Sequence, residues 1–164
     1  MSLSDMQVPA ESSTAHQLTH HDGTQRKVYV TQREIAYPDG RLIISRTDLN
    51  GVLTHANDAF VELSGYGRDE VIGQQHTILR HPDMPKAPFK DLWDTVSAGK
   101  KWHGYVKNLR KDGAHYWVYA TAVANIRNGK AVGYTSVRRK PSRKKIEEIS
   151  ALYKEWLAAE GGQA

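Results

Sequence analysis

Hydrophobic and polar positions alternate with different periods along this chain, and each change of period marks an element. Residues 26–40, RKVYVTQREIAYPDG, form an extended segment closed by a Pro-Asp-Gly turn. In RLIISRTDLNGVLTHAN, residues 41–57, two apolar-rich runs flank Asn50-Gly51, a strong hairpin dipeptide. Asn57 or Asp58 then caps a short helix, DAFVELSGY, stopped by Gly65, and GRDEVIGQ gives another helical turn ending at Gly73. Phe89, Leu92, Trp93 and Val96 recur at i, i+3, i+4 and i+7, one face of an amphipathic helix that stops at Gly99. Between Lys101 and Lys140, three runs rich in Val, Tyr, Trp and Thr are joined by Asp112-Gly113 and Asn128-Gly129, both hairpin turns. A last amphipathic helix over 142–159 aligns Ile146, Ile149, Tyr153, Trp156 and Leu157. Two strands, several short helices, three strands and a helix predict an α+β fold: a five-stranded antiparallel sheet with short helices over one face.

The flanks have a different texture. Residues 1–27 are polar and aperiodic and are expected as a flexible N-terminal extension. They contain a HQLTHHDGT patch with His16, His20 and His21, whose spacing fits no compact metal site. The main domain is expected over 28–140, with 28–41 as its N-terminal cap segment, and 141–164 as a C-terminal linker or signalling helix. Arg143, Lys144 and Lys145 stand in the first turn of that helix, where basic residues oppose the helix dipole. They call for another partner or an exposed face.

Composition narrows the classes. With 164 residues, 39% hydrophobic and 25% charged, the chain can bury a single core. No apolar run approaches the ~20 residues of a membrane-spanning helix, and the N-terminus lacks the regions of a secretory signal, so a cytoplasmic location is expected. There is no cysteine, which removes disulfides, thiolate clusters, cysteine nucleophiles and cysteinyl-adduct photochemistry. Net charge is +5, but residues 100–145 hold 13 of the 23 Lys and Arg and only one acid, Asp112. Such a basic half attracts nucleic acid, anionic lipid or a phosphate-bearing cofactor, or is simply a solvated face.

The motifs THANDAFVELSGY, RHPDMP, FKDLW, KKWHGYVKNLRKDGAHYWV and GYTSVR resemble those of PAS domains, and in combination those of the aerotaxis-receptor type. The likeness runs from Tyr29 to Trp156. It implies the PAS fold, a non-covalently bound FAD, and a redox or energy sensor that is not an enzyme. It also implies a signal passed to a membrane-anchored HAMP and signalling region controlling a chemotaxis kinase. The family's flavin-site positions fall on Asn57, Arg80, His81, Asp83, Trp93 and Trp102. Pro88 departs from the family pattern but stands in a first helical turn, where proline is tolerated. No transmembrane or signalling region follows in the sequence, so either an excised sensor domain or a free-standing PAS protein is expected.

The residues support this chemistry without demanding it. Trp93 and Trp102 suit the stacking wall of a flat isoalloxazine, and equally an ordinary core. Asn57 can donate and accept at a flavin edge, or cap a helix; one amide cannot do both well. In the proline-bounded loop at 80–85, Arg80 offers a donor fork for a pyrophosphate, His81 a partner for phosphate, ribose or adenine, and Asp83 an acceptor for ribose or adenine. The plain reading of that loop is an Arg80–Asp83 surface pair worth well under ~1 kcal/mol.

Other functions draw on single features of the chain. FMN is the alternative flavin. A haem-binding PAS oxygen sensor would use His81 or His76 as axial ligand. A cofactor-free PAS module would dimerise through the domain or its flanking helices, and a homodimer is expected in either case. Arg138, Arg139, Lys140, Arg143, Lys144 and Lys145 form a basic run, but no base-reading motif accompanies it, so no nucleic acid is expected. No P-loop, dinucleotide fingerprint or catalytic carboxylate pair is present, and no metal site is expected.

Overall fold

The computed structural model describes residues 3–20 and 22–161. Strands β3 (Ile43–Thr47), β4 (Leu53–Ala56), β5 (Trp102–Leu109), β6 (His115–Arg127) and β7 (Lys130–Arg139) build the expected five-stranded sheet. Its order is β4-β3-β7-β6-β5, with every neighbouring pair antiparallel. Between the two hairpin regions lie α1 (Asp58–Ser64), α2 (Arg68–Val71), a 3-10 turn at His76–Leu79 and α3 (Ala87–Ser97). The C-terminal helix α4 spans Arg143–Ala159.

Strands β1 (Thr14–Thr19) and β2 (Gln25–Val30) precede this domain. Residues 1–27 were expected as a flexible tail; in the described part they form an antiparallel hairpin instead. Its anchors are distant in sequence and therefore invisible to local pattern. The buried Arg26 guanidinium donates to the Ser4 and Ile78 carbonyls and to the Tyr66 hydroxyl. Met6, Val28 and Val30 pack on Leu109. His21 of the histidine patch lies outside the described residues.

Register decides which side chains share the inner face, because directly opposed residues in antiparallel strands point the same way. One row runs Ser45, Ser136, Ala122, Trp102; the next runs Ile43, Arg138, Ala120, Gly104. Helices α1–α3 cover this face. Toward one end Tyr37, Ile43, Leu53, Phe60, Tyr116 and Val118 fill the space between sheet and helices. Across the two rows the sheet side chains are mostly small, so they leave room.

Helix α4 crosses the opposite face. Ile146 and Tyr153 bury themselves against Met84 and Trp117, with Ile149 and Tyr105 alongside, while Trp156 stays 38% exposed at the rim. The Tyr153 hydroxyl donates to the Tyr105 carbonyl at 2.7 Å. Ser142 caps the helix by accepting from the Lys145 N–H. Partners also exist for the basic first turn: Arg143 makes bonds of 2.5 and 3.2 Å to Glu34, and Lys145 pairs with Glu148.

Both edges of the sheet are engaged by one connecting segment. The Leu53 N–H donates to the Gln74 carbonyl on the β4 side, and Arg80 forms an antiparallel bridge with Asn108 on the β5 side. Residues 74–80 thus cross the inner face from edge to edge. No helix among the described residues is long and apolar enough to cross a membrane.

Candidate functional site

A cavity of about 640 Å³ lies between the inner face and α3, within the usual range for small-molecule and cofactor sites. Its floor is the small-residue strip of Ser45, Ser136, Ala120 and Ala122. Trp102 closes one side of the floor, its indole folded back over Gly104, where any Cβ would strike the ring. The Trp102 Nε1 donates to Asp91 Oδ2 at 2.9 Å, which fixes the indole against α3. Phe89, Leu92, Trp93 and Val96, the apolar face expected of α3, form the wall. Trp93 stands edge-on to His76 at 5.5 Å and to Tyr134 at 5.3 Å, so the wall is aromatic and rigid.

Two guanidinium groups enter this apolar space. Arg80 lies over the Phe89 ring at 5.2 Å, and its Nε is buried without a hydrogen-bond partner. Arg138, on β7, lies over Phe60 at 5.4 Å and donates from Nη1 to Ser45 Oγ at 3.0 Å. Burial pulls the pKa of each below the ordinary arginine value; Glu160 opposes this at Arg80, and Tyr116 and Tyr37 oppose it at Arg138. Among the described residues, neither forms an ion pair with a carboxylate. Lys86 and Lys90 extend the positive charge to the exposed rim, where Lys90 pairs with Asp94 at 2.6 Å.

Of the residues expected at a flavin site, Arg80, Trp93 and Trp102 line the cavity, whereas Asn57, His81 and Asp83 do not. The Asn57 amide is consumed by backbone. Its Oδ1 accepts from the Phe60 and Ile44 N–H groups, both at 3.1 Å, and its Nδ2 donates to the Leu42 carbonyl at 2.9 Å. The helix-cap role therefore wins. His81 is fully buried, its Nδ1 accepting from the Asp83 N–H at 3.0 Å, and its ring meets His115 edge-on at 5.9 Å. Burial, aided by Lys107, drives its pKa down to about 3, so the imidazole is neutral at pH 7.

The Arg80–Asp83 pair does not form. Asp83 binds the Lys107 ammonium at 2.7 Å. Burial raises the Asp83 carboxyl, but Lys107 and His81 outweigh it, and the net pKa lies below the ordinary value. His81 and Asp83 therefore shape the loop that presents Arg80. Sequence reasoning missed Arg138, Asn108, Phe60, and Thr19 with His20, which reach the lining from the end of β1. The strand alternation that points Arg138 inward and Arg139 outward was the available signal, masked by the basic run around it.

A PAS fold defines this arrangement: residues 53–138 match that family, and the chain belongs to it. Within the family the chain is 49% identical over 126 residues to the aerotaxis receptor of Escherichia coli strain K12, covering 77% of this chain and 25% of the receptor. It is 31% identical over 75 residues to the nitrogen fixation regulatory protein of Klebsiella pneumoniae, covering 46% of this chain and 15% of that protein. The chain thus spans a quarter or less of the length of these curated relatives. Among solved structures, the light state of the blue-light photoreceptor Aureochrome1 LOV superposes with a TM-score of 0.60 at 20% identity, covering 67% of this chain and 89% of that one. That likeness is one of fold.

Proposed function

We propose that this domain senses redox or oxygen state by holding FAD non-covalently in the cavity and reporting to a chemotaxis-type signalling region. One observation carries the reading: a slot with a small-residue floor and aromatic walls contains two guanidiniums without carboxylate partners. A flat, electron-rich ligand bearing phosphates satisfies all three features. Arg80, with Lys86 and Lys90 on the rim, would hold the pyrophosphate, and Trp93 and Trp102 would enclose the ring. The likeness to an aerotaxis receptor supports the same reading.

Bound there, the flavin would supply a reversible redox couple and nothing the chain needs to catalyse. The chain excludes water from the ring, orients it, and conveys changes at the wall to α4. With no cysteine, it has no thiol for adduct photochemistry. The test is the absorption spectrum of the purified protein, with identification of whatever heat releases. A flavin spectrum with released FAD is expected. A Soret band would replace this reading with haem, held by His76, which lines the cavity. A colourless protein that cannot be reconstituted with either would leave a cofactor-free interaction module.

A further inference from the structure

Rim charges and floor charges do different work. Lys86 and Lys90 are exposed, so solvent screens them, and they suit the hydrated phosphates of a dinucleotide. Arg138 is only partly exposed and stands deeper, on the cavity floor. It stands on the floor row beside Ala120, with the Phe60 ring on one side and its Nη1 donating to Ser45 Oγ. A guanidinium held in apolar surroundings is costly unless something negative meets it. No carboxylate of the described residues does so. In the flavin reading, the flat ring would lie over this small-residue floor and so be the part of the ligand nearest Arg138.

We infer that Arg138 holds the reduced flavin as an anion and raises its reduction potential; the inference rests on the flavin reading above. The oxidised ring is neutral, so Arg138 gives it only a hydrogen bond. Reduction by an external donor, dithionite in the assay, delivers electrons to the ring. With the guanidinium at its edge, the ring takes up fewer protons than electrons and retains a negative charge against Arg138. Ser45 orients the guanidinium and contributes no charge. Arg138 is therefore a positioning cation for the charged redox state, distinct in role from Arg80 at the phosphate end.

The experiment is a spectroscopic redox titration of the flavin-loaded protein from pH 6 to 8, for the wild type, Arg138→Lys and Arg138→Met. In the wild type the potential should fall by clearly less than the ~59 mV per pH unit that one proton per electron requires. Arg138→Met should weaken the preference for reduced over oxidised flavin at least tenfold, about 30 mV for a two-electron couple or 59 mV for a one-electron couple. Arg138→Lys should retain most of it. Without flavin, Arg138→Met should also melt higher than the wild type, because a stranded charge is gone. A wild-type slope at the full proton-coupled value, or an unchanged potential in Arg138→Met, overturns the inference while leaving the flavin reading intact. If Arg138→Met does not fold, the wild-type slope still decides. A wild type that binds no flavin removes the reading and the inference together.

Discussion

Glu160, at the end of α4, accepts a hydrogen bond from the backbone N–H of Lys86 at 2.7 Å, and its second oxygen accepts from Ala87 at 3.1 Å. The residue that caps the C-terminal helix thus supplies the missing acceptor for the first turn of the helix that walls the cavity. Lys86 itself lines that cavity. The sheet lies between the body of α4 and the cavity, so this latch joins the two by passing around the β5 side.

Replacing Glu160 with Ala should cost about 1 kcal/mol, the usual price of losing an acceptor at a helix N-terminus. Urea unfolding measures the cost, and hydrogen exchange locates it. Faster exchange should be confined to residues 86–90 and the end of α4; a uniform increase along the chain would contradict the latch.

Arg80→Ala should weaken FAD binding at least tenfold while weakening riboflavin binding little, because riboflavin lacks the phosphates assigned to that side. Fluorescence titration of the apoprotein with each ligand makes the comparison. Folding stability should hold or rise, since the buried, unpartnered Nε disappears with the side chain. Equal losses for both ligands would move Arg80 to the ring.

Ala122→Leu should fill the floor without breaking the fold. Ala122 is buried next to open volume, so the larger side chain projects into the cavity and the stability change stays within about 1 kcal/mol. Flavin content of the purified variant should fall close to zero with an unchanged circular dichroism spectrum. Full flavin occupancy would show that the ring does not lie over Ala122.

His81 should make stability fall on acidification. Its folded pKa, about 3, lies below the ordinary 6.5, so between these values the unfolded chain binds the proton and the folded chain does not. Stability from this group is complete above about pH 6.5 and declines below it, by up to ~1.4 kcal/mol per pH unit. Asp83 adds a second loss at lower pH, as its depressed carboxyl protonates and releases Lys107. Urea midpoints from pH 7.5 to 4.5 should show a clearly shallower slope in His81→Gln. His115, whose pKa is also lowered by burial, accounts for part of the slope that remains.

The fold was legible where short-range chemistry decides it. Asn50-Gly51, Asp112-Gly113 and Asn128-Gly129 placed the hairpins, and the spacing of Phe89, Leu92, Trp93 and Val96 announced the cavity wall. The β1–β2 hairpin was not legible, because Arg26 anchors it through groups about 40 to 50 residues away. The site was half legible for a related reason. Asp83 has Arg80 as its near neighbour in sequence but meets Lys107, which β5 carries to it across 24 residues. Arg138 looked like one charge in a solvated run until the register turned it inward.

The bridge between Arg80 and Asn108 also bears on the solubility of the protein. β5 ends the sheet, and an open final strand invites pairing with another copy. The loop that aims Arg80 at the cavity occupies part of that border, so a ligand that steadied the loop would also guard the sheet against self-association. Loss of ligand and onset of aggregation should accordingly begin at the same few residues.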